Sequence, residues 1–212
     1  MKFNEKQMTN LLDIIYSKVL NGIETMGSEK IEDFANDYIR EHSSMKNAAK
    51  DMINVQILKC GTSGFINGLG GAVTLPLTLP ANITSVLYIQ MRMIACAAYM
   101  GGFDLKNDKV KALVYACLAG LKVADFIKAG FIECAKKGIE KLIKSISGEV
   151  IKAINKAVGF RLVTKFGQTG VINLGKLVPV MGGLVGAGFD GYTTKVIGDR
   201  AYNWFLENKI VA

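Results

Sequence analysis

From Cys60 to Met91 the chain runs thirty-two residues without a charged side chain, and between Ile53 and Phe103 only Lys59 and Arg92 interrupt the apolar texture. A stretch of this kind must leave water, so it lies either in lipid or in a protein core. A membrane-spanning helix needs about twenty mostly apolar residues in unbroken register. This segment is broken at Pro76 and Pro80 and carries Thr74, Thr78, Asn82, Thr84, Ser85 and Gln90, so it does not supply them cleanly. After Pro80, residues Ile83, Val86, Leu87, Met91, Ile94, Ala95 and Ala98 make a helix apolar nearly all round. That pattern predicts the central helix of a bundle.

Arg92 sits inside this helix, and a buried guanidinium has to find a carboxylate, a hydrogen-bonded shelter or an anionic ligand. Asp104 and Asp190 are the expected ion-pair partners. A phosphate or lipid headgroup is the other kind of partner that a forked guanidinium takes well. Gln90, Arg92, Asp104 and Asp190 are therefore the candidate ligand or headgroup residues.

The rest of the chain has helical periodicity throughout. Leu12, Ile15, Tyr16, Val19 and Ile23 mark one apolar face ending at Asn21-Gly22. A second helix is expected with Ser28 as N-cap and Ile31, Phe34, Ala35, Tyr38 and Ile39 as its stripe. Ser44 is the expected cap of a third, with Met45, Ala48, Ala49, Met52, Ile53 and Ile57 buried. Beyond Gly101-Gly102, Asn107 or Asp108 opens a helix to Ala119, and Val123, Ile127, Phe131, Ala135, Ile139, Leu142, Ile146, Val150, Ile151, Ile154, Val158 and Leu162 continue the apolar stripe. At 212 residues with half of them hydrophobic, the expected fold is a single-domain, all-α multi-helix bundle with glycine-rich central helices. Residues 1–44 are expected to form an N-terminal helical hairpin and 45–212 the main helical domain.

The net charge of +8 is concentrated in one place. Between Leu105 and Lys165 thirteen bases face five acids, which accounts for the entire surplus. Lys128, Lys136, Lys137, Lys141, Lys144, Lys152 and Lys156 fall opposite the apolar stripe, as on basic amphipathic helices that lie on anionic surfaces. These are the candidate membrane-surface residues. Neither a strand platform nor interleaved aromatic residues accompany them, which disfavours nucleic acid as a partner.

Glycine clusters in two places, five between Gly61 and Gly71 and eight between Gly167 and Gly191. Gly64, Gly68, Gly71, Gly182, Gly183, Gly186 and Gly191 are the candidate helix-packing positions, with four-residue spacings that let backbones approach closely. One helix from about Val180 to Glu207, packed by its glycine edge on the Gly64 to Gly71 region, is the arrangement expected.

Signals of chemistry are weak. Gly170 to Lys176 fits a phosphate-loop spacing, but Leu177 stands where a Ser or Thr would hold magnesium and no strand precedes it. Gly68-Leu69-Gly70 has Val73 in place of the third glycine of a dinucleotide motif. Cys60, Cys96, Cys117 and Cys134 form no CxxC pair and read as reduced core thiols, and His42 is the sole histidine. No metal, cofactor or catalytic residue is expected. The first twenty residues lack the pattern of a cleaved signal, so the expected location is cytoplasmic.

Several ordered motifs resemble one family. Gly64-Phe65-Ile66-Asn67-Gly68-Leu69-Gly70-Gly71, Thr74-Leu75-Pro76, Leu79-Pro80, Gln90-Met91-Arg92-Met93-Ile94 and Gly102-Phe103-Asp104 are similar to those of the EcsC protein family. So is the later run Gly175-Lys176-Leu177-Val178-Pro179-Val180-Met181-Gly182-Gly183 with Gly186, Phe189-Asp190 and Ile197-Gly198, the resemblance spanning roughly residues 45 to 206. It implies a bacterial, mainly helical, membrane-associated accessory protein, the family being named for a member encoded beside an ABC transporter. It transfers no catalytic residue. The short length and the lysine-rich middle set this chain apart. Residues and resemblance together predict an amphitropic helical accessory protein, peripheral at the inner face of the cell membrane. Its expected partners are an anionic membrane surface or a membrane protein complex, with self-association possible through the glycine faces. The alternatives are an enzyme or binding protein for a lipid or phosphorylated small molecule around Arg92, and a structural module that docks a protein.

Overall fold

A computed structural model describes residues 4–24, 27–61, 81–122, 138–166 and 187–209. Within them the chain forms α1 (Glu5–Asn21), α2 (Ile31–Glu41), α3 (Met45–Gly61), α4 (Ala81–Met100), α5 (Asp108–Leu118), α6 (Ile139–Ser145), α7 (Gly148–Phe166) and α8 (Ala187–Ala201), the last running into a π-helical turn, Tyr202–Leu206. There is no strand among the described residues, only a single bridge between Ile23 and Ser28. The fold is all-α.

α4 is the axis. Every residue from Thr84 to Ala98 is buried, so the run without charge is a core helix wrapped by α1, α2, α3, α5, α8 and the π-helical turn. No helix among the described residues is long and apolar enough to cross a membrane. The stripes read from the sequence turn inward as expected: Leu12, Ile15, Tyr16, Val19 and Ile23 on α1 and its exit, and Val150, Ile154, Val158 and Leu162 on α7, are all buried. α1 is opened by a reciprocal cap in which the Asn4 side chain accepts from the Gln7 amide and the Gln7 side chain accepts from the Asn4 amide. Asn107 caps α5 by accepting from the Lys109 amide.

Two expectations about helix edges need correction. Ser28 is not the N-cap of α2, which starts at Ile31 behind Lys30 with no side-chain cap. Met45 is exposed rather than part of the α3 stripe. The Ser44 hydroxyl does accept from the Asn47 amide at the start of α3.

The directions of three helices decide where the rest of the molecule lies. Lys46 at the start of α3 pairs with Glu207 beyond α8, while Ile53 meets Gly198, so α3 and α8 run antiparallel. Gln90 bonds Thr194 and Met93 borders Gly198, so α4 and α8 run parallel. The end of α3, the start of α4 and the start of α8 therefore share one end of the bundle.

Residues 62–80 and 167–186, with Gly64, Gly68, Gly71, Gly182, Gly183 and Gly186, lie outside the described residues, as do residues 180–186 of the long helix expected to Glu207. Gly191 is half-buried on α8. The glycine that makes the described crossing is Gly198, where an added Cβ would stand 2.6 Å from Ile53 Cγ2 and 3.3 Å from Met93 Sδ. Ile53 is β-branched, so this methyl cannot swing aside without moving α3.

Gly198→Ala is therefore expected to lower stability by about 1–3 kcal/mol, although alanine favours a helix interior by about 1 kcal/mol. Gly148→Ala, at an exposed site with nothing within 4 Å, is the control and should leave stability unchanged or slightly raised. Urea denaturation of both variants checks this; equal midpoints would remove the close crossing.

Glu207 ties the C-terminal turn to α3. Its carboxylate accepts from Lys46 Nζ at 2.7 Å, Lys209 Nζ at 3.3 Å and the Tyr202 hydroxyl at 3.2 Å. The two ammonium donors hold its pKa down to about 2, from an ordinary 4.5. A depressed carboxyl stabilises the fold above its unfolded pKa, and the contribution is lost as pH falls from about 4.5 through about 2. Glu207→Gln should flatten the loss of stability across that window. The fluorescence of Trp204, the one tryptophan, reports it from the same turn.

Candidate functional site

The cation inside α4 is satisfied from a direction the sequence did not suggest. Arg92 is only 6% exposed, and its Nη1 donates to Ser28 Oγ at 2.9 Å, to the Glu29 carbonyl oxygen at 2.9 Å and to the Tyr88 hydroxyl at 3.3 Å. Its Nη2 stands 3.9 Å from the Glu29 carboxylate, and its guanidinium carbon lies 4.1 Å from the centre of the Phe34 ring. Ser28 and Tyr88 hydroxyls are themselves 2.7 Å apart. The guanidinium thus has neutral acceptors, a partial counter-charge and an aromatic face, the combination that lets arginine sit in a core.

The connection between α1 and α2 is shaped for this. Ile23 and Ser28 exchange backbone hydrogen bonds of 2.7 and 3.1 Å, closing a small loop that delivers Ser28 and Glu29 to Arg92. Gly22 turns the chain at φ +78°, and a side chain there would run into the Ser28 carbonyl oxygen. Only glycine meets both conditions.

Asp104 is not the partner of Arg92. It lies exposed beyond the far end of α4, where its carboxylate accepts from the Lys106 amide. Gln90 faces away from Arg92 toward α8, its Nε2 donating to Thr194 Oγ1 at 2.9 Å within the core. Asp190 falls in the first turn of α8, with its side chain outside the description. Of the four candidates, the described side chains do not converge. Lys59, half-buried near the same loop, has its ammonium pKa pushed down, first by burial and then by Arg92.

Among the lysines, Lys141 and Lys144 on α6 and Lys152 and Lys156 on α7 are exposed, while Lys128, Lys136 and Lys137 lie outside the described residues. Lys109 Nζ donates to the Lys144 carbonyl oxygen, and Lys152 borders Asp108 and Lys111 at the start of α5. This basic group therefore sits toward the end where α4 passes into α5. α4 has twenty residues, so about 30 Å of helix separates that region from the shared end of α3, α4 and α8.

A second polar cluster escapes sequence reading. Asp13 accepts from the Tyr115 hydroxyl at 2.8 Å and pairs with Lys111 at 2.6 Å, and Tyr16, edge-on to Tyr115, donates to the Leu105 carbonyl oxygen at 2.8 Å. Burial, then Asp13, drives the Tyr115 pKa far up, so this phenol stays protonated. A shallow hollow of about 240 Å³ beside it is lined by Asp13, Lys111, Tyr115, Lys152 and Asn155. No run of neighbouring residues announces it, because α1, α5 and α7 each contribute one or two side chains.

Among the described residues there is no cluster of three or more His, Cys, Asp or Glu side chains fit to hold a metal ion. Cys96 and Cys117 are sealed in the core; burial pushes the Cys117 thiol up to about 12 and Cys96 higher still, so neither is a nucleophile at neutral pH.

An all-α bundle around one nearly charge-free helix, with a glycine-rich segment on each side of it in the sequence, is the class that fold and motifs define. The EcsC protein family matches residues 2–206, nearly the whole chain, and the chain belongs to that family. The match takes in α1 and α2 as well as the segment from residue 45 onward. No curated protein and no solved structure matches the chain.

Arg92→Lys keeps the charge but loses the forked donors and the stacking on Phe34. It should cost about 1–3 kcal/mol, a fall in melting temperature of several degrees for a chain of this size. Circular dichroism melts of Arg92→Lys and of exposed Lys156→Gln, which should melt like the parent, test the assignment.

Proposed function

We propose that this EcsC-family chain is a peripheral membrane protein, an accessory helical module that meets lipid or a membrane complex with the charge-poor end of its bundle, where Lys59 and Asp190 are the charges on the adjoining helix turns. The observation that carries the reading is the convergence of α3, α4 and α8 at one end, because both glycine-rich segments join the described helices there. Residues 60–91 hold no charge, and residues 167–186 hold only Lys176. Large apolar side chains are left in water toward the same end: Leu58 near the close of α3 is 68% exposed and Tyr192 near the start of α8 is 67% exposed. Exposed apolar residues grouped beside uncharged chain mark an interaction surface.

The basic group on α6 and the start of α7 acts at a different place. It lies about a helix length away, and charge attraction is screened beyond about 8 Å at physiological salt, so these lysines add little to docking by the charge-poor end. Association led by burial of apolar surface depends weakly on salt and on lipid charge, whereas association led by lysines rises with anionic lipid, at about 1 kcal/mol per engaged residue.

Vesicle flotation with neutral and with anionic lipid separates the two. The expected result is recovery on both, abolished by Leu58→Asp with Tyr192→Asp and kept by Lys141→Gln with Lys144→Gln. Recovery on anionic lipid alone, lost in the lysine variant, transfers the docking surface to α6. No flotation on either lipid sinks membrane association by the chain itself.

A further inference from the structure

The C-terminal end of α5 gathers two guanidiniums that form no ion pair with a carboxylate among the described residues. Gly120, at φ +70°, ends the helix in a left-handed cap, with the Gly120 amide bonding the Cys117 carbonyl oxygen and the Leu121 amide bonding that of Ala116. Two guanidiniums close over this glycine. Arg200 Nη1 lies 3.3 Å and Arg161 Nη2 3.6 Å from the point a Cβ on Gly120 would occupy, which puts the two nitrogens no further than about 7 Å apart. Arg161 comes from α7 and Arg200 from α8, and exposed Lys122 follows two residues after the cap.

The structure explains only part of this. Arg200 Nη1 donates a long hydrogen bond of 3.5 Å to the Cys117 carbonyl oxygen, where the partial negative charge of the helix end favours a cation. Arg161 makes no such bond, and neither guanidinium forms an ion pair with a carboxylate among the described residues; Asp199, next to Arg200 in sequence, is held by Lys195 at 2.7 Å. Two like charges at this distance repel weakly, and an anion bridging them would relieve that repulsion. A phosphate-type group fits, since charge-assisted bonds of about 2.8 Å from two of its oxygens span such a gap.

We propose that Arg161 and Arg200 form a binding site for a phosphate-type oxyanion, carried by a small molecule or by a lipid headgroup. The site is distinct from Arg92, whose Nη1 is engaged by the chain's own loop, and from the charge-poor end proposed to meet lipid. It does not depend on that membrane reading, because its first probe is free in solution.

Titration calorimetry at constant ionic strength, with inorganic phosphate and then with water-soluble dihexanoyl phosphatidate, tests it on the full chain. The wild type is expected to bind saturably. Arg161→Gln, at an exposed position that should leave the fold intact, is expected to weaken binding about tenfold or more, as is Arg200→Lys, while Lys152→Gln changes nothing. Binding of both probes assigns recognition to the phosphate itself. Binding of phosphatidate alone assigns a headgroup with its glycerol. Absence of saturable binding of either probe, or unchanged affinity in Arg161→Gln, overturns the site, and a melting curve of each variant separates lost binding from lost fold.

Discussion

A helix buried on every side can carry a cation only if neighbouring chain brings acceptors to it, and Arg92 of α4 imposes that condition on the whole N-terminal part of the molecule. The sharp turn at Gly22, the exchange of hydrogen bonds between Ile23 and Ser28 and the placement of Phe34 on the first turns of α2 all follow from the need to surround one guanidinium. The pairing is modest in Coulomb terms, since the Glu29 carboxylate stands 3.9 Å away and half exposed. Its value is that the bonds from Nη1 to Ser28, Glu29 and Tyr88 leave the positive charge solvated by protein. The connection between α1 and α2 is thereby tied to α4.

The second organising contact is the crossing at Gly198, where α8 approaches Ile53 of α3 and Met93 of α4. α8 is antiparallel to α3 and parallel to α4, which brings the end of α3 and the starts of α4 and α8 to one end of the bundle. The exposed lysines of α6 and α7 lie toward the other end of α4. The core is not wholly apolar: Gln56 Nε2 and Gln90 Oε1 are buried without hydrogen-bond partners among the described residues. Both glutamines sit on helices that form the crossing, Gln56 on α3 and Gln90 on α4.

Much of this fold is legible in the sequence, and what is not legible is non-local. The all-round apolar pattern from Val86 to Ala98 specified a central helix, and the three- and four-residue steps on α1 and α7 specified their buried faces, because burial imposes the helical period directly. Ser44 reads as a cap, and of the alternatives Asn107 and Asp108 the structure selects Asn107, since a cap is a contact within four residues. Ser28 is no cap: a serine ahead of Glu29 and Glu32 looks like a helix start, yet its hydroxyl faces an arginine far along the chain, and no local rule ranks those alternatives. The same holds for Arg92 itself. Asp104 was close in sequence and conspicuous in charge, while the true acceptors are mainly a backbone carbonyl and two hydroxyls, which composition cannot flag. Gly198 stood apart from the glycine clusters that drew attention, and Arg161 and Arg200 meet only because α7 and α8 both pass the end of α5.

The burial of the cysteines has a practical consequence. Cys60, Cys96 and Cys117 are reduced and inaccessible on α3, α4 and α5, with the Cys117 thiol directed at the Ile197 carbonyl oxygen of α8. A thiol reagent can reach them only when those helices part, so in a Cys134→Ser background the rate of alkylation measures the frequency of opening rather than intrinsic reactivity. Each thiol times a different opening. Cys117 follows the separation of α8 from α5, and Cys60 follows the charge-poor end where α3 closes. Mapping modified residues over time would therefore give the order in which the bundle comes apart, and whether the end holding Leu58 loosens before the axis does.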